Sequence, residues 1–113
     1  MHEMSICESL ISIIEEQAKQ QDFSQVKVVR LEIGPLAGVE IEALRFSYDV
    51  VTRGSIAEKS KLEVITLPLN AWCMPCGETV IVQQRFDACP KCASHQVQIT
   101  GGDELRIKDM EVN

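Results

Sequence analysis

Two closely spaced pairs of cysteines constrain the fold of this chain more than any other feature. They are Cys73-Met74-Pro75-Cys76-Gly77 and Cys89-Pro90-Lys91-Cys92-Ala93, with twelve residues between Cys76 and Cys89. A two-residue gap lets both thiolates of a pair bind one ion, and the small residue that follows permits a tight turn. Two such pairs supply the four sulfurs of a closed tetrahedral zinc site. We therefore predict Zn(II) bound by Cys73, Cys76, Cys89 and Cys92.

Other uses of these cysteines fit the pattern less well. A redox role is typical of one C-x2-C pair rather than of two matched pairs, and an iron–sulfur cluster is a weaker alternative to zinc. Four thiolates leave no open coordination position, so we expect the ion to be structural. His95, three residues after Cys92, is a possible alternative zinc ligand, although an exposed histidine without a ligand role is the simpler interpretation.

The rest of the chain has the pattern of a small α+β domain. Apolar residues recur at helical spacing over residues 5–20 and over residues 40–53. Ser5 and Glu8 match a capping box, although a start one or two residues earlier also fits the first helix. Residues 26–33, 61–67 and 104–112 have the alternation of strands. We predict a two-helix, three-stranded sheet domain, residues 1–69 plus 102–113. A four-cysteine zinc-ribbon module, residues 70–101, is inserted before the last strand, with ribbon strands over 79–84 and 96–100.

Composition excludes several classes of function. Eleven basic residues against seventeen acidic ones give a net charge of −6, and the basic residues are scattered, which disfavours nucleic-acid binding. No apolar run is long enough to span a membrane. No basic leader with an apolar stretch opens the sequence, so we expect a soluble, cytoplasmic protein. No nucleophile stands at a recognisable spacing from a base, and there is no phosphate-binding glycine loop, so we expect no enzyme activity.

The acidic start of the chain has two interpretations. Glu3, Glu8, Glu15, Glu16 and Asp22 are accompanied within the first 22 residues by one basic residue, Lys19. A solvated helix face is the ordinary explanation for such a run of charge. A docking surface for a basic partner is the alternative.

The first three residues can form a second metal site. The α-amine of Met1, the amide nitrogen of His2 and the imidazole Nδ1 of His2 would close a five-membered and a six-membered chelate ring. Cu(II) and Ni(II) favour such square-planar nitrogen coordination, and Glu3 could add an oxygen or its amide nitrogen. Protons compete for the amine and the imidazole near neutral pH, as suits a carrier that loads and releases its ion. A histidine at position two is, however, often without function.

Several segments together resemble the HypA/HybF family of hydrogenase maturation proteins. They are Met1-His2-Glu3-Met4-Ser5, Leu31-Glu32-Ile33-Gly34, the 46–53 helix followed by Gly54-Ser55-Ile56-Ala57, and the paired cysteine motifs. The resemblance covers essentially the whole chain. It implies a nickel-delivery factor that works with a HypB-type GTPase on the [NiFe]-hydrogenase large subunit precursor. It also implies Ni(II) as transient cargo, bound at the N-terminus through His2, and zinc in the ribbon.

The resemblance adds one weak candidate nickel ligand and excludes a cysteine that some relatives have. Glu40 matches an acidic position that the family sometimes associates with nickel, so it is a weak candidate ligand. Some relatives have a cysteine near the position of Gly38, and this chain has none there. The alternative to the nickel carrier is a zinc-ribbon module that binds other proteins and holds no second metal.

Overall fold

The computed structural model describes residues 2–113, so Met1 and its α-amine lie outside the described residues. The elements follow one another in the order α1 (Glu3–Gln21), β1 (Val26–Ile33), α2 (Ile41–Val51), β2 (Lys61–Thr66), β3 (Leu69–Cys73), β4 (Glu78–Val82), β5 (Val97–Ile99) and β6 (Leu105–Val112). The strands form two three-stranded sheets, in the orders β2-β1-β6 and β4-β3-β5. This architecture confirms the predicted α+β fold with its inserted cysteine ribbon.

The chain packs as two compact units. The helical unit comprises the chain up to Leu31, Val39–Ile65 and Arg106–Asn113, and the ribbon unit comprises Glu32–Gly38 and Thr66–Leu105. Apolar side chains from both helices and from the sheet fill the core of the helical unit. The buried ones are Cys7, Leu10, Ile11, Ile14, Val26, Val29, Leu31, Leu44, Tyr48, Ala57 and Leu62. None of the helices within residues 2–113 combines the length and the apolar character needed to cross a membrane.

Helix α1 begins two residues before Ser5, within the range that its sequence allows. The capping box expected at Ser5 is wrong, because the helix starts at Glu3 and His2 occupies the N-cap position with φ −88° and ψ 90°. The His2 side chain makes no capping hydrogen bond, and the His2 carbonyl accepts from the Ile6 N–H at 3.1 Å. His2 therefore takes part in the helix through its carbonyl, and its own amide nitrogen precedes the first helical residue.

Helix α2 is fixed at both of its ends and along its buried face. The Glu40 side chain caps it by accepting a hydrogen bond from the Glu42 N–H at 3.3 Å. At its other end the Thr52 N–H donates to the Tyr48 carbonyl at 3.0 Å. The hydroxyl of the buried Tyr48 lies 2.6 Å from Ser60 Oγ, so its polar atom has a partner.

A charged cluster joins the three strands of the helical unit. Arg30, on the central strand β1, contacts Glu63 on β2 at 2.8 Å and Asp109 on β6 at 2.8 Å, and it also pairs with Glu111. The Arg30 side chain is 28% exposed, so solvent weakens each pair. Shared by three carboxylates, the guanidinium links the two edge strands across the middle one.

The ribbon unit is built on a strand that the sequence did not predict. β3 pairs antiparallel with β4, from Leu69 opposite Val82 to Cys73 opposite Glu78, and with β5, where Trp72 faces Gln98. The strands β4 and β5 correspond to the predicted segments 79–84 and 96–100, with shorter bounds. Alternate residues of β3 and β4 form a small core together with the second cysteine motif. Its buried members are Leu69, Ala71, Cys73, Val80, Val82 and Cys89.

Candidate metal centres

The four ribbon cysteines converge on one point. All four Sγ atoms lie within 4.8 Å of one another, with 3.5 Å between Cys73 and Cys92 and 3.9 Å between Cys76 and Cys89. A tetrahedral zinc ion with Zn–S bonds of about 2.3 Å holds its sulfurs about 3.8 Å apart. The sulfur positions therefore fit a tetrahedral four-thiolate site consistent with zinc, as the spacing of the motifs predicts.

The two cysteine motifs fold into matching turns. The Gly77 N–H donates to the Cys73 carbonyl at 2.9 Å, and the Ala93 N–H donates to the Cys89 carbonyl at 2.8 Å. Each turn is closed by a residue with left-handed backbone, Gly77 at φ +64° and Ala93 at φ +62°. Glycine adopts this conformation without strain, whereas the Cβ of Ala93 makes the same conformation more costly in the second turn.

The close spacing of the four sulfurs favours the binding of a cation. Contacts with the thiols of Cys92 and Cys73, together with burial, raise the pKa of Cys76 to about 12. Burial raises the pKa of Cys89, but backbone N–H donors at Cys92 and Lys91, together with the thiols of Cys73 and Cys92, lower it to about 7. Adjacent thiolates repel one another, so a bound cation is what allows all four to lose their protons.

The four cysteines of the site differ in their exposure to solvent. Cys73 and Cys89 are buried in the ribbon core, Cys76 is half-buried and Cys92 is exposed. Lys91, between the cysteines of the second motif, forms an ion pair with Glu78. The cluster offers four sulfurs and no further ligand among residues 2–113, so its donor set suits a structural ion rather than a catalytic one.

The candidate nickel residues meet at the start of the two helices. His2 is exposed, and the carboxylate of its neighbour Glu3 accepts a hydrogen bond from the Glu40 N–H at 3.2 Å. This backbone hydrogen bond from Glu40 lowers the pKa of Glu3. The structure thus brings together Glu3 and Glu40, two of the weaker predicted ligands. Sequence reasoning did not find this contact.

The candidate His95 and the fifth cysteine, Cys7, do not belong to the cluster of four sulfurs. His95 is exposed and does not belong to the group of sulfur ligands in the described chain. Cys7 is fully buried on α1, where its Sγ lies 3.6 Å from the Leu44 carbonyl and burial raises its pKa to about 11. Cys7 is therefore a packed thiol, and its burial disfavours the reactive thiolate form.

Comparison with known proteins decides the family. A family model described as "Hydrogenase/urease nickel incorporation, metallochaperone, hypA" matches residues 1–112. The chain belongs to the HypA family. This membership confirms the resemblance drawn from the N-terminal residues and the paired cysteine motifs.

Relatives in the HypA family match along the full chain. The hydrogenase maturation factor HypA of Azotobacter vinelandii is 54% identical over 112 residues, 99% of each chain. The factor of the same name from Acidithiobacillus ferrooxidans is 59% identical over 112 residues, again 99% of each chain. The solution structure of the nickel metallochaperone HypA from Helicobacter pylori superposes with a TM-score of 0.71 at 25% identity, covering 99% of this chain and 97% of that one.

Proposed function

We propose that this protein binds Ni(II) at its N-terminus and helps deliver it to the [NiFe]-hydrogenase large subunit during maturation. Its family is one of nickel-incorporation metallochaperones, and the relatives described above are hydrogenase maturation factors. The observation that carries the proposal is the place of His2, exposed and at the N-cap of α1. Its imidazole and its amide nitrogen precede the hydrogen-bonded part of the helix and are accessible to a metal ion.

The helix start makes backbone nitrogens available as ligands. The first N–H groups of an α-helix have no partner within the helix, so an amide proton lost at His2 or Glu3 breaks no helical hydrogen bond. We propose that nickel is bound by the Met1 α-amine, the His2 amide nitrogen and the His2 Nδ1 in a square-planar arrangement. Since the amine and the imidazole must be unprotonated and the amide nitrogen must lose its proton to bind nickel, mild acid releases the ion.

Glu3 and Glu40 have smaller roles in this proposal. The Glu3 carboxylate already accepts from the Glu40 N–H, which favours the Glu3 amide nitrogen, rather than its carboxylate, as the fourth ligand. The Glu40 carboxylate caps α2 through the Glu42 N–H and would have to leave this position to reach the metal. Glu40 is therefore the weakest candidate of the set.

We propose that the ion in the ribbon is Zn(II) and that its role is structural. The ribbon core contains six buried side chains, two of them cysteines, so metal binding is needed to stabilise it. Structural zinc supplies about 10–16 kcal/mol of binding free energy in comparable small modules.

The proposed zinc module is residues 70–101, and the proposed nickel domain is residues 1–69 plus 102–113. His95 would enter the zinc shell only if a cysteine left it. X-ray absorption at the zinc edge, with and without nickel, tests that exchange.

The proposed partners follow from the role of a carrier. A cytoplasmic factor that holds nickel and performs no catalysis needs a donor or regulator and a recipient. We propose a HypB-type GTPase and the large subunit precursor for these roles. The support is membership of a family of maturation factors.

Metal analysis of untagged protein, combined with nickel titration, tests the proposal. We expect one zinc per chain, nickel binding by the native protein, and loss of nickel binding in His2→Ala with zinc content unchanged. His95→Ala is the matched control, because it removes the other histidine of the chain and should leave nickel binding intact. Zinc without any nickel binding would favour the alternative, a zinc-ribbon protein-interaction module.

A further inference from the structure

Strand β6 forms an open edge of the sheet β2-β1-β6. It is the last strand of that order, and in the described chain its neighbour is β1 on one side only. The Glu104 carbonyl, just before β6, accepts from the Gly34 N–H at 2.8 Å. The Asn113 N–H, just after β6, donates to the Gln25 carbonyl at 2.9 Å. The backbone groups of Glu104 and Asn113 therefore both point toward β1.

A bulge interrupts the alternation of β6. Backbone groups of a regular strand point to the same side at every second residue, but Glu104 and Asn113 are nine positions apart, an odd number. Ile107 and Met110 are both half-buried, although three positions also separate residues of opposite faces in a regular strand. The alternation thus shifts by one residue between Ile107 and Met110, as it does at a β-bulge. The backbone groups of these two residues point away from β1, toward the open edge.

The charges of β6 are divided between its two halves. Arg106 and Lys108 lie in the first half, and Asp109 and Glu111 lie in the second. Both carboxylates contact Arg30, but that single guanidinium is shared among three carboxylates and cannot neutralise them all. Strand β6 is therefore basic in its first half, acidic in its second half and neutral as a whole.

The sheet that contains β6 lacks the negative charge of the rest of the chain. Its three strands carry five basic and four acidic residues, in a chain whose net charge is −6. The basic ones are Lys27, Arg30, Lys61, Arg106 and Lys108, and the acidic ones are Glu32, Glu63, Asp109 and Glu111. Two copies of an acidic protein repel each other least where such a surface of one copy meets that of the other.

A groove of about 390 Å³ lies between α1 and β6. Ile13, Gln17 and Phe23 line it on the side of α1, where no lining residue is charged, and residues 107–110 and Val112 line it on the side of β6. Ile13 is 49% exposed and Val112 is 41% exposed. The groove can therefore bury apolar side chains of a strand that adds to β6 without removing a charged group of α1 from water.

We propose that this edge binds a second copy of the chain, whose β6 pairs antiparallel with the first β6 about a twofold axis. With the axis between Lys108 and Asp109, Lys108 of each copy lies opposite Asp109 of the other, and Arg106 lies opposite Glu111. The two three-stranded sheets then become one continuous sheet. The proposal does not depend on nickel binding at His2, which lies at the start of α1.

The bulge favours a second copy over an ordinary strand as the occupant. A bulge and a lysine commonly protect an edge strand, because a regular strand does not match the irregular spacing. A second β6 has the same extra residue at the same place, so Ile107 of each copy lies opposite Met110 of the other. Parallel pairing of the two strands would instead set Lys108 beside Lys108 and Asp109 beside Asp109. The antiparallel arrangement matches both the charges and the spacing.

Sedimentation velocity of the zinc-loaded, full-length protein over a range of concentrations tests the proposal. We expect a reversible equilibrium between monomer and dimer, and salt should weaken it because ion pairs contribute. In NMR spectra, the amides of Ile107 and Met110 should become protected from hydrogen exchange as the dimer forms. A chain that stays monomeric up to about 1 mM, or a dimer in which these amides stay unprotected, would overturn the proposal. Protection that appears only in a cell extract would also overturn it, because the occupant would then be another protein.

Charge-reversal variants test the pairing of Lys108 with Asp109. Lys108→Glu and Asp109→Lys each set like charges opposite one another on both sides of the axis, so each should weaken association by about tenfold or more. A mixture of the two variants should restore the dimer, because each copy then carries the charge that the other needs at both positions. Asp109 also contacts Arg30, and recovery on mixing separates lost pairing from a folding defect.

Two further variants locate the interface. Lys61→Glu is the matched control, because Lys61 is an exposed lysine on β2, the opposite edge of the same sheet. It should associate as the native chain does. Ile13→Asp places a charge in the groove and should weaken association by about tenfold or more. Equal weakening by Lys61→Glu and Lys108→Glu, or failure of the mixed charge-reversal variants to form a dimer, would contradict pairing through β6.

Discussion

The Glu3 carboxylate accepts a hydrogen bond from the Glu40 N–H at 3.2 Å, although 37 residues separate the two in sequence. The contact joins the first turn of α1 to the N-cap of α2. A carboxylate at the start of a helix is stabilised by the partial positive charge of the unpaired N–H groups there. Glu3, the residue after His2, is thereby held in place by α2, directly beside the proposed nickel-binding terminus.

This contact makes a prediction about the titration of Glu3. The hydrogen bond from Glu40 lowers the pKa of Glu3, so its contribution to stability is present above the ordinary glutamate pKa of about 4.3 and is lost as the pH falls through the lowered value. Carbon-detected NMR titration of the Glu3 carboxyl should report this lowered pKa. In Glu40→Pro, which lacks the donating N–H, the pKa should return toward the ordinary value.

Glu40→Ala is the control for that titration. It removes the carboxylate that caps α2 but keeps the backbone N–H that Glu3 accepts from. The pKa of Glu3 should stay low in this variant. An ordinary pKa in the native protein, or the same pKa in all three forms, would show that the contact with Glu40 does not hold Glu3 in solution.

A second prediction concerns the ligands of the ribbon. Cys73→Ser removes one of four thiolates, and we expect zinc affinity to fall by about a hundredfold or more, since the binding energy of structural zinc is shared among its four ligands. Competition with a coloured chelator measures this affinity. Cys7→Ser is the matched control, because a serine hydroxyl can still donate to the Leu44 carbonyl. It should leave zinc affinity and stoichiometry unchanged, and an equal loss in both variants would contradict the assignment of the four ribbon cysteines as the zinc ligands.

A third prediction separates the five cysteines by reactivity. Burial raises the pKa of Cys7 to about 11, so at pH 8 only about 0.1% of it is thiolate, the form that reacts with iodoacetamide. We expect mass spectrometry to find little alkylation of the zinc-loaded protein and four alkylated cysteines after zinc is chelated. The fifth should react only in denaturant. Five cysteines modified at one rate after chelation would contradict the buried site of Cys7.

Local sequence patterns predicted those parts of the structure that depend on residues close together in the sequence. The bounds of β1 were predicted correctly from β-branched residues and alternation, and the spacing of each cysteine pair indicated the four cysteines whose sulfurs the structure brings together. Strand β3 was missed, because Pro68 precedes it and its buried face is made of Leu69, Ala71 and Cys73, two of them small. The strand forms because β4 and β5 pair with it on both sides, and no local sequence pattern indicates this pairing.

Contacts between distant residues could not be predicted from a single sequence. The contact between Glu3 and Glu40 depends on how α1 and α2 pack, and neither glutamate differs locally from a solvated one. The N-cap of α1 was also missed, since His2 caps the helix without the side-chain hydrogen bond that marks a usual N-cap. Likewise, the positive φ of Phe86 reflects the loop hydrogen bonds to Asp87 rather than any preference of phenylalanine.

Moving the α-amine away from Met1 is the most direct test of the nickel proposal. Isothermal calorimetry should compare native protein with a form that carries Gly-Ser-Gly-Ser before Met1. A single added residue would be a poor control, since it would place the imidazole third from a new amine and so in another chelating position. We predict tight nickel binding by the native protein, its loss in the extended form, and one zinc per chain in both. Equal nickel affinity in the two forms would contradict a site built on the Met1 amine and His2.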